Sequence, residues 1–286
     1  MSQMKIVLCP IDFSDLTRQE LALASEVCEA FGAHLVMHHN LSAVGPGFTR
    51  AWEWHEVHRA DDTSSPKAEE RLRKILAELP RTFTAEASVS HGPIATIVLQ
   101  LAEKLPADLL ILGSHGWSTE DHASVTERLI ERSPCPVLTI HEGADVTRFR
   151  LRAAEGGAAV PVLVATDLSE SAQPAVEYAF ELARKAPLRL HLLHVVPVSA
   201  DTNAVKAAER SLQQLVPPDL AARTTCQVAH GDSIAEILST SKRIEPAFLL
   251  MGEHARGFFR RFFTRNTAQE LLHRAACPVW FVPLHR

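Results

Sequence analysis

No two cysteines in this chain fall in a CxxC pair. The five present are scattered and odd in number. That argues against a disulfide framework or a zinc ribbon and fits a reducing compartment. Positive charge is not in excess either. A net charge of −5 gives no global basic field for nucleic acid. No apolar stretch is long enough to span a bilayer. Met1-Ser2-Gln3-Met4-Lys5 runs straight into a strand-like segment, so no signal peptide is expected. The expected setting is cytoplasmic, with no nucleic-acid partner and no integral membrane segment. There is no Walker loop, no GxSxG elbow and no HExxH zinc pattern, so neither an enzyme nor a metal site is expected.

What the chain does have is a repeat. Its 286 residues are 46% hydrophobic and 22% charged. This is a globular balance, too long for one ordinary core and comfortable for two. Leu109-Leu110-Ile111-Leu112-Gly113-Ser114-His115-Gly116 is an apolar run cut off by glycine. Phe248-Leu249-Leu250-Met251-Gly252-Glu253-His254-Ala255 is a second. A run without alternation reads as a strand buried on both faces. Glycine at its end permits a sharp turn and close approach of a ligand. In open α/β sheets the ligand crevice lies at such carboxyl ends.

The matches extend in both directions. Ile6 to Ile11 reads as a strand ended by Asp12-Phe13-Ser14. Val162 to Thr166 is its counterpart, ended by Asp167-Leu168-Ser169. Ser14 is placed to cap a helix carrying Leu21, Ala24, Cys28 and Phe31, with Gly32 as its stop. Val176, Ala179 and Ala183 mark the corresponding helix. Asp12 and Asp167, Ser14 and Ser169, and His39 and His194 share one offset of 155. Gly92 and Gly231, like Gly113 and Gly252, share an offset of 139, so the first copy carries 16 extra residues within about 42 to 66. Cys135 and Cys277 stand 142 apart, so the loop after the glycine strand is three residues shorter in the first copy. A duplication of this size means tandem domains at 1–142 and 160–286, with 143–159 as linker. Five strands alternating with helices in each copy imply a parallel sheet covered on both faces.

These residues resemble the universal stress protein family, duplicated in tandem. The resemblance rests on Pro10-Ile11-Asp12, Gly92-Pro93, Gly113-Ser114-His115-Gly116, the helix start Ser124-Val125-Thr126-Glu127-Arg128, and Pro134-Cys135-Pro136-Val137. The second copy repeats it more loosely, with Asp167, Gly231, Gly252, Asn266 and Ala276-Cys277-Pro278-Val279. It implies the Rossmann-like α/β fold of the adenine-nucleotide α-hydrolase class and a stress-response role. It also implies pairing through the last strands, here within the chain, between 137–140 and 279–282. A homodimer is a further partner state that the resemblance leaves open.

One branch of the family binds ATP through the pattern G-2x-G-9x-G-[ST]. Glycine backbone N–H groups cradle phosphate there, beside a helix N-terminus. By that resemblance the candidate residues for ATP or another adenine nucleotide are Asp12, Gly113, Ser114, Gly116 and Ser124 in the first copy. In the second they are Asp167, Gly252, Arg256, Arg265 and Asn266. Neither copy satisfies the pattern. In the first, Ala123 replaces the last glycine after a shortened loop that carries Glu120 and Asp121, whose charge opposes phosphate. In the second, Ala255 and Arg265 replace glycines, while Arg256, Arg260, Arg261 and Arg265 crowd the loop as an anion site by charge. For Asp12 and Asp167 the alternative is a loop aspartate that helps its neighbouring serine cap the next helix.

The resulting reading is a ligand-binding module with an adenine nucleotide in at least one degenerate site. Two alternatives stay open: a dimeric scaffold that binds no nucleotide, and a weak ATP hydrolase. The related enzymes' SGGxDS loop and HxGH pattern are missing here. Among the remaining features, Arg256-Gly257-Phe258-Phe259-Arg260-Arg261-Phe262-Phe263 is read first as a surface loop with buried phenylalanines and wet arginines. His55 and His58, with Trp52 and Trp54, are read as polar and packing residues of the insertion rather than metal ligands. Cys9, Cys28, Cys135 and Cys277 are read as small buried hydrophobes.

Overall fold

The computed structural model describes residues 4–41, 65–114, 125–152, 159–252 and 265–283. Of residues 65 and 265–269 only the backbone is described. The first copy folds as β1 (Ile6–Pro10), α1 (Thr17–Phe31), β2 (His34–Leu41), α2 (Ser65–Glu78), β3 (Ala85–His91), α3 (Ile94–Lys104), β4 (Leu109–Ser114), α4 (Val125–Arg132) and β5 (Val137–His141). The second folds as β6 (Val160–Ala165), α5 (Gln173–Lys185), β7 (Leu188–Val196), α6 (Thr202–Leu215), a 3-10 turn (Pro218–Arg223), β8 (Thr224–His230), α7 (Ser233–Ile244), β9 (Phe248–Gly252), α8 (Arg265–Arg274) and β10 (Val279–Val282).

The strands form where the apolar runs predicted them. β4 and β9 are central, and their residues are buried because helices cover both faces. α1 stops at Gly32, whose φ of +66° lets its N–H turn back to the Cys28 carbonyl. Its start differs from the expectation. The helix begins at Thr17 with Leu16 as N-cap and no side-chain cap. Ser14 lies three residues upstream, and its carbonyl accepts the Thr17 N–H at 3.1 Å.

The two parallel halves join into one ten-stranded sheet, ordered β3-β2-β1-β4-β5-β10-β9-β6-β7-β8. The seam is the antiparallel pair β5–β10, with Val137 opposite Phe281, Leu138 opposite Trp280 and Thr139 opposite Val279. The last strands therefore pair within the chain, and neither remains an open edge. Thr139 Oγ1 adds a buried hydrogen bond to the Val279 carbonyl at 3.2 Å. His141 Nε2 donates to the Ala275 carbonyl at 2.6 Å. One hydrophobic layer holds α1 and α5, and the other holds α3, α4, α7 and α8.

The first ten residues of the linker pack against both domains. Phe149 and Leu151 are each 1% exposed and belong to the first layer. Phe149 stacks on Phe248 at 5.5 Å, Phe248 on Trp280 at 5.2 Å, and Trp280 on Tyr178 at 5.8 Å. This row of rings runs from the linker across β9 and β10 to α5. On the other side, Glu26 of α1 accepts the Leu151 and Arg152 N–H groups at 2.7 and 3.1 Å. Its second oxygen meets the Arg152 guanidinium at 3.2 Å. Glu26→Ala is expected to strand two backbone donors and cost about 1–3 kcal/mol. Denaturant unfolding would measure the loss, and limited proteolysis would show faster cleavage near residue 150.

Candidate functional site at the sheet switch points

In each half the strand order reverses beside the first strand. β1 lies between β2 and β4, and β6 lies between β7 and β9. The chain leaves β1 in one direction and β4 in the other, so a crevice opens at their carboxyl ends. Leu8 pairs with Leu110. Continued for three residues, that register brings Ile11 level with Gly113. In the second half Ala165 pairs with Met251, which brings Thr166 level with Gly252.

The turn after the first strand has one geometry in both copies. Asp12 Oδ1 accepts the Ser14 N–H at 2.9 Å, and Asp167 Oδ1 accepts the Ser169 N–H at 3.0 Å. Ser169 Oγ also donates to Asp167 at 2.6 Å, and it accepts the Ala172 N–H at 3.2 Å just before α5. The serine thus closes the turn that leads into α5, while the helix's own N-cap, Ala172, receives no side-chain cap. The residue between aspartate and serine is left-handed in both, Phe13 at φ 62° and Leu168 at φ 64°. A non-glycine residue there costs on the order of 1 kcal/mol, and such strain collects at binding sites. A histidine from the neighbouring strand holds each turn. His39 Nδ1 donates to the Ile11 carbonyl at 2.8 Å, and His194 Nδ1 to the Thr166 carbonyl at 2.9 Å. The equivalence of His39 and His194 is therefore geometric as well as sequential.

The copies differ in what surrounds this frame. In the first, His39 lies 4.3 Å from the Phe13 ring, and the Arg71 guanidinium of α2 covers that ring at 4.3 Å. Glu20 of α1 is 3% exposed, and its Oε1 accepts the Gly113 N–H. Thr126, in the first turn of α4, donates to the Gly113 carbonyl at 3.3 Å. The Cys9 thiol is pushed well above its ordinary range, first by burial and then by the Glu20 and Cys28 charges. Burial pushes Cys28 to about 12 and Cys277 to about 11. These are inert core thiols, as expected, and Cys135 is likewise buried, with its sulfur 3.5 Å from Ser133 Oγ.

Gly113 and Ser114 end β4, with Ser114 buried against β5. Gly252 ends β9 opposite Val282. Arg265 and Asn266 open α8, with only their backbone described. Gly116, Ser124 and Arg256 lie outside the described residues. So do the loop 256–263, His55, His58, Trp52 and Trp54. Among the described residues no group of His, Cys, Asp or Glu could hold a metal ion. No described helix is long and apolar enough to cross a membrane.

Sequence reading passed over Glu20, although a signal was present. Leu16, Glu20, Ala24 and Cys28 recur every four residues on the helix face that enters the core. An acid in the middle of an apolar stripe must find a donor, and Gly113 supplies it. A Cβ on Gly113 would stand 2.6 Å from Glu20 Oε1. Gly113→Ala is therefore expected to displace a buried charged hydrogen bond and cost about 1–3 kcal/mol. The same substitution in a Glu20→Ala background should cost less. A double-mutant denaturation cycle measures the difference.

A duplicated parallel α/β module with strained aspartate turns at its switch points defines a class of fold. Comparison with known proteins gives the family. Residues 4–141 and 160–283 each match the universal stress protein family, and the chain belongs to it as a tandem two-domain member. A universal stress protein from Synechocystis is 28% identical over 144 residues, covering 48% of this chain and 85% of the relative. Universal stress protein A homolog 1 of Coxiella burnetii is 28% identical over 145 residues, covering 48% and 95%. Over the full length, a universal stress protein structure from Archaeoglobus fulgidus superposes with a TM-score of 0.73 at 20% identity, covering 99% of both chains. A Pseudomonas aeruginosa protein of unknown function superposes with a TM-score of 0.64 at 14% identity, covering 98% of this chain and 92% of that one. At these identities the superpositions speak for the fold alone.

Proposed function

We propose that the chain is a cytoplasmic stress-response module that binds an adenine nucleotide in at least one switch-point crevice and does not turn it over. The observation that carries this reading is the strained turn at Phe13 and Leu168, kept twice and buttressed each time by a histidine. Strain that survives duplication favours a turn that presents groups to a ligand rather than a mere connection. Each turn stands beside a strand that closes at or next to a glycine, Gly113 and Gly252, the residue type that lets a phosphate approach the backbone closely. The sequence departs from the family's glycine pattern at Ala123, Ala255 and Arg265. Binding therefore rests on the aspartate turn and, in the second domain, on the arginines at 256–265.

Native mass spectrometry of freshly purified protein tests this reading. The expected spectrum carries the mass of an adenine nucleotide, retained or restored by incubation with ATP. Multiple-turnover phosphate release should stay at the no-protein background. Protein that neither retains a nucleotide nor takes one up would favour the scaffold reading. Sustained phosphate release would favour a hydrolase.

A further inference from the structure

We propose that Glu20 is a built-in anionic plug that closes the first domain's crevice to phosphate and leaves nucleotide binding to the second domain. This rests on the nucleotide reading above and says which crevice it concerns. Gly113 lies three residues beyond the last described β1–β4 pair, Leu8–Leu110, and stands level with Ile11, just past the end of β1. Its N–H is thus the backbone donor that a phosphate entering the crevice would meet first. That donor is already taken by the Glu20 carboxylate. The Gly113 carbonyl receives the Thr126 hydroxyl, so both polar groups of the glycine are satisfied from within the chain. The carboxylate also fills the space over the glycine, since even a methyl group there would meet Oε1. An incoming phosphate would need to displace a buried charged hydrogen bond while approaching a fixed negative charge.

The second copy lacks the plug. The offset of 155 puts Ala175 where Glu20 stands. Ala175 lies on α5, which packs on β9 as α1 packs on β4, and it is 2% exposed in the same hydrophobic layer. The stripe Leu16-Glu20-Ala24-Cys28 becomes Ser171-Ala175-Ala179-Ala183, with no carboxylate to reach the end of β9. The charge of the following loop runs the same way. It carries Glu120 and Asp121 in the first copy and four arginines in the second.

Titration calorimetry with ATP on the full chain decides it. The wild type is expected to bind about one equivalent, Glu20→Ala about two, and Ala175→Glu none, with weak binding counted as absent beyond about a hundredfold loss. Glu20→Gln keeps an acceptor for the Gly113 N–H and removes the charge. It covers the case in which the alanine variant fails to fold, and it should gain the second site as well. Circular dichroism confirms that each variant is folded. Two equivalents on the wild type, or no added site for either ATP or pyrophosphate in the Glu20 variants, would overturn the plug. Pyrophosphate, run in parallel, separates this from the nucleotide reading. If ATP binds no variant but pyrophosphate gains a site on the Glu20 variants, the plug stands and the adenine nucleotide is wrong. If pyrophosphate gains no site either, the plug is wrong too.

Discussion

Replacing Trp280 with alanine is expected to cost about 3–5 kcal/mol, read as a lowered midpoint in chemical denaturation. Trp280 is fully buried on β10, opposite Leu138 of β5. It is the middle of the ring row that links the linker's Phe149 to Tyr178 of α5 through Phe248. Removing the indole leaves a cavity at the seam, and both domains border it. Its Nε1 finds no hydrogen-bond partner among the described residues. Trp280→Phe sheds that unsatisfied donor along with part of the volume, so it should lose roughly half as much or less. A Trp280→Ala midpoint equal to wild type would mean that the rings do not hold the seam.

Acid is expected to weaken the first domain well before ordinary carboxylates titrate. His38 is 2% exposed between β2 and β3, with Nδ1 at 2.9 Å from Ser88 Oγ and Nε2 at 2.9 Å from Ser90 Oγ. Burial, followed by the neighbouring His39, lowers its pKa from 6.5 to about 4. The folded form therefore binds fewer protons than the unfolded chain between those values. Its neutral state is fully accommodated above pH 6.5, and stability falls as pH drops from there to about 4, by up to about 3 kcal/mol. Burial lowers His191 and His273 too, so they act in the same direction. Asp145 and Asp219 are held below the usual carboxylate range by hydrogen bonds, so their losses come at lower pH. His38→Leu copies Leu193, the residue at the matching position of the second domain. Denaturation series from pH 7.5 to 4 should show a shallower decline for that variant. A slope equal to wild type would remove His38 from the account.

The doubled architecture could be read from the chain because its carriers are local. Buried runs such as Leu109 to Leu112 admit few structures other than central strands, and the offset of 155 fixed which residues correspond. Asp12, Ser14 and His39 met their counterparts in kind and in geometry. The pairing of the last strands was implied by the family resemblance, whereas their antiparallel register needed coordinates. The linker was harder. Phe149 and Leu151 are two apolar residues in a charged stretch, with no period to declare that they are buried. Glu20 was harder still, because its role depends on a glycine 93 positions away. An amphipathic helix tolerates one acid without declaring what it touches.

Because β5 and β10 run in opposite directions, the two crevices open on opposite rims of the shared sheet. Four strands lie between the gaps, β4, β5, β10 and β9. At about 4.8 Å per strand and about 3.3 Å per residue along them, occupants of the two sites would sit some ~25 Å apart. They could not touch, and one binding surface could not grip both without wrapping the molecule. Any message between them would have to travel through the antiparallel strands and the row of rings beneath them. The two switch-point crevices of a single chain are thus set back to back by construction.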